Sequence, residues 1–448
     1  MPVFVLLYCA SFHYSYEFWI SPVWGYEGFT YETPNPALLG TTYVLAGVLC
    51  ALSPLKIRRP SQVIYWVLYF TVYIPGLLVP LFLQLDSDLT LLLLQLSMTA
   101  GMLAIALSYR LRLVTLQRHP ANPRLFWTIF AAVFLVCNAA AIAVFRNNLH
   151  LASLQEIYSA RYQARGVFEQ NPAIGYISQL LANVLNPLLI ARGLESRRKI
   201  LTGIGILGEL IVYSIAVSKA SLLAPFVIIG LYYSLKTDLG GWVPKATLSL
   251  VGMLLGLTSL VIGAKPGVLF NIATIAIART IAAPGMLIGQ YQYFFETQPH
   301  TYLGHVTGFN LLVPNPYSLP IGMEMSAFYG VKTSNDRGMV NENANLFATD
   351  GIGGFGLVGI PIIAILCAAV FWVLDSCARD YTKKFCVSAL AMQIVSLGNV
   401  SLFSTLLGNG LIAWILLFVV MPRSFLDSHV QTHNLPKIPP LDNELANS

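Results

Sequence analysis

Hydrophobic residues along this chain fall in runs of the ~20 needed to cross about 30 Å of hydrocarbon, and short polar segments collect the charges and prolines between them. The pattern predicts apolar spans near 3–20, 36–54, 63–84, 89–107, 126–145, 174–191, 200–217, 219–235, 246–263, 351–374, 385–402 and 404–421. Lipid offers no partner for a free backbone N–H or C=O, and barrel-type alternation is absent, so these runs must be helical. The expected fold is all-α: a polytopic transmembrane helical bundle of about 12 spans. A single membrane domain covers 1–422, and a polar, proline-containing tail, 423–448, reads as a disordered cytoplasmic end.

Composition agrees, with 56% of the 448 residues hydrophobic and 10% charged. The N-terminal MPVFVLLYCASFHYSYEFWI has no basic lead and no small-residue cleavage site, so it reads as a retained first helix. The six cysteines lie in apolar runs or on the expected cytoplasmic side, which argues against disulfides and a cysteine metal site. A formal net charge of +6 gives no reason to expect nucleic acid, because cytoplasmic loops of membrane proteins are basic for topology alone.

The Lys and Arg residues set the orientation. Lys56/Arg58/Arg59, Arg110/Arg112/Arg118/Arg124, Arg192/Arg197/Arg198/Lys199, Lys236/Lys245 and Arg379/Lys383/Lys384 occupy every second connection. All can be cytoplasmic together, with both termini inside, provided the moderately apolar stretch 268–295 does not cross. Arg279 at its middle, costly in lipid, and Pro284-Gly285 beside it, expected to break the helix, mark it as interfacial or re-entrant. Two long extracytoplasmic loops follow, about 146–173 and about 264–350, and loops of that length are usually functional or disordered.

Topology does not ask for the basic residues left outside: Arg146, Arg161, Arg165, Lys219, Lys265, Arg279, Lys332 and Arg337. Lys219 sits in a tight turn between spans, and Arg279 sits in an apolar stretch, so both are expected to face protein or a water-filled cavity. Several cations at a membrane surface suit an anion such as a diphosphate. The plainer alternative is that they snorkel to headgroups or pair with Glu156, Glu169 or Glu296. Glu296, His300, His305, Glu324, Asp336, Glu342 and Asp350 are candidate bases, among which spacing does not choose. The histidines lack metal-ligand spacing, so no metal is expected. No Walker loop, nucleophile elbow or dinucleotide fingerprint occurs. Aromatic residues crowd the outer segments, where an interfacial belt accounts for most of them and sugar stacking is the alternative.

Three stretches carry a resemblance. They are Ser218-Lys219-Ala220-Ser221 through Pro225, ARTIAAPGMLIGQYQYFF with Arg279, Pro284, Gly285, Tyr291 and Phe295, and NENANLFATDGIGGFGLVGI with Asn343, Phe347, Asp350, Gly354, Gly356 and Gly359. In these the chain resembles the oligosaccharide repeat-unit polymerases, the Wzy or O-antigen polymerase family of bacterial membranes. The likeness covers roughly 140–420 in layout.

The resemblance implies a metal-independent and cofactor-free glycosyltransferase at the periplasmic face of the bacterial inner membrane. Its substrate would be undecaprenyl-diphosphate-linked glycan, transferred to a hydroxyl of the next lipid-linked unit with diphosphate leaving. A chain-length regulator and a flippase would be partners, beside membrane lipid. The expected catalytic residues are Arg279 and Lys219, which stabilise the leaving group, with His305 and Asp350 as candidate bases. Arg161, Arg165, Lys265, Tyr291 and Arg337 are the expected substrate-binding residues. The rival readings are an O-antigen ligase working on the same carrier and a flippase or transporter of lipid-linked glycan. Transporters place ionisable groups near the midplane and often carry inverted repeats, which are not evident here.

Overall fold

Helices account for most of the described chain, as the apolar runs require. The computed structural model describes residues 1–115, 121–146, 168, 170–216, 218–237, 240–330 and 341–422. No strand occurs among the described residues. Eight of their helices are long and apolar enough to cross a membrane: Ser61–Leu83, Asp88–Ser108, Pro123–Phe145, Pro172–Glu195, Lys199–Ala216, Trp242–Val261, Val268–Thr297 and Phe347–Ala378. Pro36–Leu52, Ala220–Leu235 and Leu411–Val420 are shorter apolar helices, and the chain opens with Pro2–Ser15 continuing through Tyr16–Ile20. By length and composition these helices fit a multi-pass membrane protein. The expected tail, 423–448, lies outside the described residues.

Ser61–Leu83 is the packing centre, with nearly every side chain buried. Phe347–Ala378 lies against Asp88–Ser108, where Gly101 fits between Ala364 and Ile360. Any larger side chain at Gly101 would push these helices apart.

Side-chain and backbone bonds gather the connections at two opposite ends. At one end Arg59 Nη2 donates to the Leu111 carbonyl at 2.6 Å, Trp372 Nε1 to the Arg112 carbonyl at 3.0 Å, and Lys384 Nζ lies 3.2 Å from Glu195. The basic segments that the sequence placed on one side are therefore neighbours. At the other end the Glu32 N–H donates to the Phe82 carbonyl, Gln84 Nε2 to the Thr33 carbonyl, and Asn35 Nδ2 to Asp88.

Two expectations differ from what is observed. The spans predicted at 385–402 and 404–421 are four short helices, Lys383–Ala389, Ala391–Leu397, Leu402–Leu407 and Leu411–Val420. Apolar content is sufficient there, but Ser401 caps a new helix by accepting the Ser404 N–H, and Gly410 takes φ +79°, which ends the previous turn.

The stretch read as broken at Pro284-Gly285 is one helix, Val268–Thr297. Its middle, Thr274–Ala282, is π-helical, and Pro284 follows directly after it, so the hydrogen-bond ladder is already rearranged where the proline N–H is missing. The helix begins with Phe270 against Trp24 and ends with Glu296 beside Asp86. Trp24 leads into the segment around Glu32 and Thr33 that is bonded to Phe82 and Gln84, so both ends reach the same side of the bundle.

Candidate functional site

After Thr297 the chain runs through a long irregular segment into the helix Ile321–Phe328, and returns at 341–346 to enter the helix that starts at Phe347. Gly285 packs directly on the Pro75 backbone, so that no side chain fits there, and this close approach fixes helix Val268–Thr297 beneath the segment. Tyr291 donates its hydroxyl to the Glu342 carbonyl at 3.1 Å, and Asn345 Nδ2 lies 3.4 Å from the Pro284 carbonyl. The second and third family-like stretches thus meet in space.

Where they meet, the irregular segment closes over Asp350. Asp350 lies in a π-helical turn, Phe347–Ile352, and is fully buried. One carboxylate oxygen accepts the Leu402 N–H at 2.6 Å, and the other faces His305 Nε2 at 3.2 Å. His305 Nδ1 is 2.8 Å from Thr301 Oγ1, which also lies 3.0 Å from the Gly353 carbonyl.

A hydroxyl has one proton, so Thr301 has two settings. With neutral His305 donating from Nε2 to Asp350, Thr301 donates to Nδ1. With both ring nitrogens protonated, Nδ1 donates to Thr301, whose own proton turns to Gly353. Both arrangements leave the ring nitrogens, Thr301 and the Gly353 carbonyl, which also accepts the Thr301 N–H, matched. Both nitrogens are engaged, so any further polar group would reach them only by displacing Thr301 or Asp350.

His305 lines a cleft of about 400 Å³ together with Asn310, Asn315, Ser318, Asn343, Thr349, Ser401 and Ser404. Gly304, Leu319, Pro320, Ile321 and Val400 complete it. Apart from His305 the polar lining consists of amides and hydroxyls, which hydrogen-bond neutral polar groups in either sense.

Arg279 stands apart from this lining. It lies in the π-helical part of Val268–Thr297, 56% exposed, with Nη2 2.7 Å from Glu27 Oε2. Glu27 thus compensates part of its charge, while the rest of the guanidinium fork is presented to solvent. Glu342 feels both residues. Burial raises its pKa to about 7, against the lowering effect of Arg279 and with a further push from Glu27. Asp86, between two helices on the same side, is raised to about 7 by burial and by neighbouring Glu296.

Of the residues expected from sequence, His305 and Asp350 are brought together, and Arg279 lies on the same side of the bundle. Tyr291 does not offer the stacking face expected of a substrate-binding residue. Its ring is fully buried, and its hydroxyl holds the 341–346 segment. Lys265 is exposed in the turn before Val268. Lys219 opens the helix Lys219–Thr237, which packs on Asn186–Glu195, Lys199–Ala216 and Lys383–Ala389, and its side chain is outside the described residues. Arg161, Arg165 and Arg337 also lie outside the described residues.

Sequence reasoning missed Thr301, Ser401, Ser404 and Glu27. The S-x-x-S spacing of Ser401 and Ser404, a helix-start signature inside a predicted span, was the available signal. Among the described residues no group of three or more His, Cys, Asp or Glu side chains is arranged to hold a metal ion. No family model, curated protein or solved structure matches this chain.

Proposed function

We propose that this protein is a membrane glycosyltransferase that polymerises undecaprenyl-diphosphate-linked oligosaccharide repeat units into surface polysaccharide on the periplasmic face of the bacterial inner membrane. The observation that carries this reading is the pairing of His305 with Asp350 on a cleft whose other polar lining groups are amides and hydroxyls, set among apolar Leu319, Pro320, Ile321 and Val400. Such a lining suits the hydroxyls of a sugar. Two supports come from the ends of the bundle. Basic segments gather at the end away from the cleft, as cytoplasmic connections do. Both ends of helix Val268–Thr297 contact the cleft's side, which agrees with a segment that does not cross and leaves both termini cytoplasmic.

In the proposed reaction the bond between the anomeric carbon and the diphosphate oxygen of the donor breaks. A new bond forms to an acceptor hydroxyl oxygen, and the acceptor proton passes to His305 once the ring has turned from Thr301 toward the cleft. Asp350, held by the Leu402 N–H, stabilises the resulting imidazolium. The departing diphosphate takes the electron pair, and its charge is met by Arg279 and Lys219. The reading uses no metal or cofactor. Its partners are lipid-linked glycan, a chain-length regulator and a flippase.

One observation favours a second reading, a transporter or flippase of lipid-linked glycan. Glu209, in the membrane-length helix Lys199–Ala216, is fully buried beside Asn186, with no cation among its described neighbours. Intramembrane acids of this kind mark ion and proton pathways.

The test is surface polysaccharide length on a gel from cells lacking the gene, complemented with wild type or with His305→Ala. Single-repeat product restored to a ladder by wild type alone supports polymerase. Long lipid-linked chains that never reach their core acceptor would assign a ligase, and units trapped inside the cell would assign a transporter.

A further inference from the structure

Beside the cleft, the chain from Gly308 to Val313 folds into a tight turn. The Leu311 N–H donates to the Gly308 carbonyl, and the Leu312 and Val313 N–H groups donate to that of Phe309 at 2.9 and 3.0 Å. Asn310 Oδ1 accepts the Gly308 N–H at 3.0 Å, and Gly308 takes φ +97°, which favours glycine. The turn is held by its own backbone, so what it presents is fixed. Asn310 lines the cleft, while Leu311 and Leu312 are 86% and 82% exposed.

Two such leucines side by side outside a span are costly in water. The surface they extend identifies what covers them. The Phe309 ring lies 5.6 Å from that of Phe403, in the helix Leu402–Leu407. That helix exposes Leu407 and leads directly into the strongly apolar Leu411–Val420. The turn is therefore continuous with the apolar outer surface of the bundle. No charged residue occurs from Val306 to Met323, as suits the edge of a bilayer better than a charged protein partner.

We propose that the turn Phe309–Leu312 inserts into the bilayer surface beside the cleft. Asn310, held in the same turn, then fixes the cleft mouth at the depth of the lipid headgroups. Ligands enter the cleft laterally from the membrane surface rather than from bulk water. The proposal rests on the membrane reading of the chain and not on the chemistry performed in the cleft.

The six native cysteines are buried, so a nitroxide on Leu312→Cys reports on the turn. The full chain is reconstituted into lipid nanodiscs, and collisions of the label with oxygen and with a water-soluble nickel chelate are compared. Insertion predicts oxygen access with nickel protection, at a depth of about 5–10 Å below the headgroup boundary. Leu311→Cys should agree, and the oxygen-to-nickel ratio should exceed that of Thr307→Cys several-fold. Nickel access at Leu311 and Leu312 equal to that at Thr307 would overturn the proposal and leave the turn to a protein partner.

Discussion

Helix Phe347–Ala378 carries a fully enclosed aspartate near each end, and both are satisfied by the same device: a backbone N–H at the start of another helix. Asp375 accepts the N–H of Ser61 at 3.1 Å, and Asp350 accepts that of Leu402 at 2.6 Å. The second oxygen makes the difference. Asp375 Oδ2 takes the Ser61 hydroxyl at 2.6 Å, a partner that does not titrate near neutral pH, and the pair is sealed among packed helices. Asp350 Oδ1 faces the imidazole of His305, which borders a cleft. A buried acid at a helix start is thus a structural pin at one end and part of a candidate reactive site at the other, according to its second partner.

The sharpest way to break the contrast is to remove the imidazole. His305→Ala and Asp350→Asn should each lower polymer formation by about 10²–10⁴-fold, the usual worth of a positioned acid or base. The double variant should be little worse than either single one, because the two residues act as a unit. Ladder length at matched protein level is the measurement. A ladder surviving His305→Ala would reduce the Asp350 end to a second pin.

Arg279 comes next. Loss of a preorganised group that meets developing charge costs about 10²–10³-fold, so Arg279→Ala should shorten or abolish the ladder, and lysine should restore part of it. Glu27→Gln separates two roles for this arginine. If Arg279 only anchors the 25–28 segment through Glu27, both variants should be equally damaging. If it meets a leaving diphosphate, Glu27→Gln should be mild.

At the other end Asp375→Ala should act on stability alone. It strips the buried Ser61 N–H and hydroxyl of their acceptor, which costs about 1–3 kcal/mol. Thermal unfolding in detergent should report the loss, while the ladder made per folded molecule stays unchanged. A ladder lost in proportion to neither stability nor abundance would show that the two ends are not functionally distinct.

Much of this architecture was legible in the sequence because bilayer helices are written in local composition. Runs of apolar residues located the long helices, and the spacing of Lys and Arg grouped connections that the structure places together. The last two predicted spans failed because apolar content measures length but not interruption. Gly398-Asn399, Ser401 and Gly408-Asn409-Gly410 divide that region, and these small polar groups weigh little in a hydropathy sum. The break expected in helix Val268–Thr297 failed for the converse reason, since a π-helical segment and an ion pair with a residue 252 positions away absorb Pro284 and Arg279. His305 and Asp350 were on the page as two of seven loop acids and bases. Their pairing across 45 residues belongs to tertiary structure, as does the role of Thr301. Tyr291 was one of many aromatic residues in outer segments, and only its burial separates a wall from a stacking face.

The smallest expected effect concerns Glu342, which joins the Arg279 region to the segment before Asp350. Burial lifts its pKa from the model-peptide value of 4.5 to about 7, so the folded protein holds a proton that the unfolded chain releases. The stabilising contribution is full below about pH 4.5 and is lost as pH rises through about 7. Stability should therefore fall from about pH 4.5 to about pH 7 and level off above it, and Glu342→Gln, neutral throughout, should flatten that fall by on the order of 1 kcal/mol after solvent screening. Thermal unfolding of the two proteins across this range is the check. Arg279→Ala sharpens it further, because removing the neighbouring cation should raise the Glu342 pKa and shift the fall to higher pH. An unchanged midpoint in Arg279→Ala would show that the guanidinium does not act on Glu342, and would leave the Arg279–Glu27 pair electrostatically separate from the Asp350 end.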